Sequence, residues 1–130
     1  MKQPRRPFEN TKIEVHKTVA EVQRLIARYG GDRFQHFPSY PKAVFQFDYC
    51  GFTISYGFPV PPVGTEEQER RRIYRVVHQA INAELEAVAS GFAAPAQVFS
   101  AHIYVDGVSL YDNPKELLRA LALHPVKPLD

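Results

Sequence analysis

With one cysteine, Cys50, in 130 residues, the chain cannot close an internal bridge, so a packed core must hold it together. That suits a reducing compartment. No apolar run approaches the ~20 residues that a membrane-crossing helix needs. The basic start, Met1-Lys2-Gln3-Pro4-Arg5-Arg6-Pro7, lacks the apolar stretch that follows in a secretion signal. The expectation is a cytoplasmic protein with no membrane association. A formal net charge of +2 is too small to imply a nucleic-acid partner, which only a local concentration of charge would do. There is no glycine-rich phosphate loop and no nucleophile elbow. His16, His36, His78, His102 and His124 are scattered without ligand spacing on one helix face. No metal, cofactor or catalytic residue is expected.

What is present suffices for one domain. Apolar residues make up 45% of the chain, and a domain of this length buries roughly two-thirds of its unfolded surface without a metal or disulfide. Residues 1–10, rich in proline and basic side chains, read as a flexible arm. Residues 11–124 read as a single α+β domain, and residues 125–130 as a tail. Thr11 to Lys17 alternates polar and apolar, the period of a strand. Thr18 and Glu21 offer a capping box for a helix with Val22, Leu25, Ile26 and Tyr29 on one stripe, ended by Gly30-Gly31.

The clearest pattern follows. Phe45, Phe47 and Tyr49 alternate with Val44, Gln46 and Asp48; after Cys50-Gly51, Phe52, Ile54, Tyr56 and Phe58 alternate with Thr53, Ser55 and Gly57. A two-residue turn at Cys50-Gly51 sets Tyr49 opposite Phe52, Phe47 opposite Ile54 and Phe45 opposite Tyr56, giving a β-hairpin with one aromatic face. Prolines 59, 61 and 62 break the pattern. Thr65 and Gln68 offer a second capping box, before a long helix with Ile73, Val77, Ile81, Leu85 and Val88 on one face and Gly91 as its terminator. A short helix is expected between Pro95 and His102, a hairpin around Asp106-Gly107, and a last helix opened by Asn113-Pro114 and carrying Leu117, Leu118 and Leu121. The order is β-α-β-β-α-(α)-β-β-α: an antiparallel sheet in two layers, with helices on its aromatic side.

Exposed aromatics on a sheet can stack nucleic-acid bases. Here the opposite face, Gln46, Asp48, Thr53 and Ser55, is too polar to be core, so the aromatic face is read as packing. The arginines are the stronger signal. Arg70, Arg71, Arg72 and Arg75 crowd the first turns of the long helix, and Arg5 and Arg6 crowd the arm; a phosphate backbone or a partner protein would meet them there. Glu66, Glu67 and Glu69 interleave at helical spacing and offer the alternative of an ordinary solvated face. Chemistry would require His102 to meet Asp48, Asp106 or Cys50.

Several strings together resemble a family of small uncharacterised bacteriophage and prophage proteins. They are Arg28-Tyr29-Gly30, Ala43-Val44-Phe45-Gln46-Phe47, Gly51, Phe58-Pro59-Val60-Pro61, the run Ala83 to Gly91, Phe99-Ser100-Ala101-His102-Ile103 and Asp106-Gly107. The resemblance implies a protein of a mobile genetic element acting inside a bacterial host cell, and brings no catalytic residues. Where that family often carries basic residues on the second hairpin strand, Gly51 to Tyr56 here has no charge, which moves the expected contact surface to the arginines of helix and arm. The leading expectation is a non-catalytic accessory protein handling nucleic acid in replication, recombination or regulation. The alternative is a protein-binding module that inhibits or redirects a host complex, and a homodimer through an open sheet edge is a further expectation.

Overall fold

In a computed structural model, residues 6–62 and 64–126 are described. Helix α1 (Val15–Arg28) precedes three strands, β1 (Asp32–Phe37), β2 (Lys42–Tyr49) and β3 (Phe52–Pro59), which form one antiparallel sheet in that order. Helix α2 (Glu67–Ala89) and the short α3 (Pro95–Val98) follow. A two-stranded hairpin, β4 (Tyr104–Val105) and β5 (Val108–Ser109), and helix α4 (Pro114–Leu123) complete the fold.

The β2–β3 hairpin has the register that the alternation requires: Tyr49 faces Phe52, Phe47 faces Ile54, and Phe45 faces Tyr56. Cys50 and Gly51 both have positive φ, 52° and 82°, as a tight two-residue turn demands. Phe45, Phe47, Ile54 and Phe58 are buried, with Val22 and Ile26 of α1 and Tyr74, Ile81 and Leu85 of α2 in the same core. Phe45 lies 5.3 Å from Phe58 and 5.8 Å from Tyr74, ring centre to ring centre. The other sheet face stays polar; Thr53 bonds Asp48 at 2.8 Å and Ser55 bonds Gln46 at 3.4 Å. The α+β architecture, the aromatic core face, the Gly91 stop (φ 77°) and the Asp106-Gly107 hairpin are as the sequence leads one to expect.

The start of the chain differs. Thr11–Lys17 is not a strand: the chain is irregular to Glu14 and helical from Val15. Val15, Val19, Val22 and Ile26 continue a helical stripe backwards, and this outweighs the short alternation. Thr18 is therefore not a cap but fully buried inside α1, where its hydroxyl accepts from Arg75 at 3.3 Å. The first strand lies after the helix instead, at Asp32–Phe37, with a bulge where Arg33 has φ 54°. The second capping box is absent as well. Thr65 bonds the Pro62 carbonyl, Glu66 occupies the N-cap in the left-handed region (φ 42°), and Gln68 reaches out to the carbonyls of Glu9 and Thr11.

Candidate functional site

The arginines singled out by sequence do not form one patch. Arg5 lies outside the described residues. Arg6 and Arg72 converge on one carboxylate, Glu69, at 2.8 and 2.7 Å. These bonds hold the Glu69 carboxyl below its usual range, the bond from Arg72 being the largest cause. Arg71 donates to Gln68 at 2.8 Å. Arg75 crosses to α1 and donates to the Glu21 carboxylate and to Thr18. Arg70 turns inward and is only 5% exposed, donating to the Pro61 carbonyl at 3.2 Å with its guanidinium 5.5 Å from the Tyr74 ring centre. The reason lies in the helix period. The buried stripe of α2 runs Arg70, Tyr74, Val77, Ile81, Leu85, Val88, so Arg70 is one turn before a core tyrosine.

A second set of cations is less tied down. Between α1 and α2 lies a groove of about 320 Å³ lined by Glu21, Arg24, Leu25, Arg28, His78 and Asn82. Arg24 and Arg28 are exposed, one helical turn apart, and make no ion pair or side-chain hydrogen bond with the described residues. Arg28 lies in the last turn of α1, where the helix dipole favours a cation. Arg75 stands across the groove, bonded to Glu21. The hydrogen bond from Arg75 is the chief cause of the lowered Glu21 pKa, burial opposes it, and the charges of Arg75, His78 and Arg24 add to it. His78 Nε2 is 4.0 Å from Glu21; burial and then Arg75 hold this imidazole below its ordinary pKa, against Glu21. Arg75, His78 and Arg24 thus act on one carboxylate that is already engaged, and Arg28 lines the same groove. The arrangement offers two free guanidinium groups and the Asn82 amide to an oxyanion. Sequence reading passed over Arg24 and Arg28. Their four-residue spacing on a helix was the signal, and the denser run at Arg70–Arg72 masked it.

His102, Asp48, Cys50 and Asp106 each have a local contact or a turn position in the fold. His102 stacks on Tyr56 of β3, ring centres 3.9 Å apart. Burial, then Lys42, lowers its pKa. Asp48 accepts from Thr53 and stands 3.7 Å from Arg33. Cys50 is exposed at the hairpin tip, and Asp106 forms the β4–β5 turn with φ 52°. Among the described residues no group of three or more His, Cys, Asp or Glu side chains could hold a metal ion, and no helix is long and apolar enough to cross a membrane.

One apolar groove, about 520 Å³, runs between the end of β3 and α2 over Phe58, Val60, Ile73, Val76 and Val77, with Glu69 and Arg72 also lining it. No family model matches the chain, and neither a curated protein nor a solved structure matches it.

Proposed function

We propose that the protein is a non-catalytic accessory protein of a bacteriophage or another mobile element, handling nucleic acid in the cytoplasm of a bacterial host in replication, recombination or regulation. The observation that carries the nucleic-acid reading is the pair of free, exposed cations Arg24 and Arg28 beside the Arg75–His78 side of the groove. Arg71 extends the basic side of α2, and Arg6 and Arg72 border it with their charges shared by Glu69. The bacteriophage setting rests on the resemblance in sequence. Two or three phosphates held this way give a salt dependence of about −0.9 per contact in log K against log salt for a duplex.

The test is fluorescence anisotropy with labelled single-stranded DNA, duplex DNA and RNA across a salt series. Arg24→Glu with Arg28→Glu is expected to abolish binding and leave the circular dichroism spectrum unchanged. Binding that survives this double charge reversal overturns the reading. The apolar groove beside α2 favours a second reading, a module that occupies the surface of a host protein complex. Co-purification of one host complex that resists nuclease and is lost on Val76→Glu supports that alternative.

A further inference from the structure

At the N-terminus of α1 lies a pocket of about 380 Å³ whose walls include Glu14, Val15, His16, His36, Glu67 and Arg70. Three features of it converge. The first is Arg70, 95% buried by its 5% exposure and permanently charged, yet without a carboxylate in ion-pair range among the described residues. One of its five N–H donors has a partner, the Pro61 carbonyl. Buried charges are ordinarily paired. The remaining Arg70 donors have no protein acceptor among the described residues and are not sealed from solvent, so they are open to a ligand in the pocket. The second is the helix end. Glu14 is the N-cap of a 14-residue helix but its side chain makes no capping bond, and the Val15 and His16 amides have no acceptor among the described residues. The third is His36, whose Nε2 shares a 2.7 Å hydrogen bond with the Tyr74 hydroxyl. Burial and then the Arg70 charge keep this imidazole below its usual pKa, so it stands neutral in the wall.

A guanidinium, a helix N-terminus and a neutral imidazole suit a planar oxyanion, which arginine grips with two parallel bonds. The mouth is opposite in sign. Glu14 and Glu67 line it, Glu67 also accepting from the Gly64 amide at 2.9 Å. Two carboxylates there repel a dianion and attract a cation. We infer that this pocket is a binding site for a small zwitterion, its carboxylate against Arg70 and the α1 N-terminus and its ammonium group against Glu14 and Glu67. The site lies at the end of α1 remote from Arg28 and is independent of the nucleic-acid reading.

The test is an NMR titration of the full chain with γ-aminobutyrate, acetate and inorganic phosphate, following the His36 ring and the Val15 and His16 amides. Saturable shifts are expected, with γ-aminobutyrate tighter than acetate and phosphate weakest. Occupancy by the anion should raise the His36 pKa, since a nearby negative charge favours the imidazolium. Arg70→Gln should remove the shifts, and Arg70→Lys, which loses the fork geometry, should weaken binding about tenfold. Should the Arg70 variants unfold, Glu14→Gln with Glu67→Gln decides the matter: loss of the preference for γ-aminobutyrate over acetate supports the site, and an unchanged preference overturns it. Absence of saturable shifts with all three probes also overturns it. Arg24→Glu with Arg28→Glu should leave this titration unaltered, so the two readings fail separately.

Discussion

Glu84 lies on α2 with one carboxylate oxygen, Oε2, sealed from solvent and without a hydrogen-bond partner. Burial raises its pKa to about 7, and its charge adds to the burial that pushes the Tyr56 phenol up to about 12. The unfolded carboxyl titrates near 4.5. Between that value and about 7 the folded state holds the proton more tightly, so Glu84 makes stability fall as pH rises through this window. Glu84→Gln is expected to be more stable than the natural protein at pH 8 and to differ less at pH 5, as read from urea midpoints. Glu21 has the reverse sign. Its lowered pKa contributes stability above the unfolded value that is lost as pH falls through the folded one, so Glu21→Gln should flatten the acid limb of the same curves. In the core, Phe45 touches the rings of Phe34, His36, Phe58 and Tyr74. Truncating it to alanine should cost about 3–5 kcal/mol in denaturant unfolding.

At the scale of elements, legibility followed the strength of a single period. The β2–β3 hairpin could be read to its register because Phe45, Phe47, Tyr49, Phe52, Ile54 and Tyr56 repeat every second residue around a turn that tolerates positive φ. Strand β1 left no such trace: only Phe34 and His36 of its six residues turn toward the core, and the bulge at Arg33 breaks the alternation. Helix α1 starts four residues earlier than a Thr18 cap predicts, because Ile13 and Val15 fit both periods. The candidate site was legible in part. Arginine density marked α2, but whether each guanidinium faces solvent depends on partners brought from far along the chain: Glu21 for Arg75, and Arg6 as a second claimant on Glu69. No local pattern contains these. The start of α2 also restrains the segment before α1 through Gln68, which donates to Glu9 and Thr11 at 3.2 and 2.7 Å. Gln68→Ala should speed trypsin cleavage after Lys12, followed by mass spectrometry, with little change in the unfolding midpoint.

The whole molecule is two-sided. Helices α1 and α2 cover the aromatic face of the sheet, and the free cations lie between these helices. The far face of the sheet carries Gln46, Asp48, Thr53 and Ser55, paired across strands. A ligand on the helices would therefore leave the sheet face open, and the two surfaces are joined by one core. That core closes over very different stretches of chain. The partners within β2–β3 are at most 17 residues apart, from Lys42 to Pro59, whereas Glu21 meets Arg75 across 54. Short loops close at less entropic cost, and hairpins form within about 1–10 μs. The aromatic hairpin can thus be in register while the two helices are still searching for it. In stopped-flow refolding, Phe47→Leu should then chiefly slow folding, and Leu117→Ala on the peripheral α4 should chiefly hasten unfolding. On this reading the β2–β3 turn lays down the template on which the slower, long-range contacts of the helices then close.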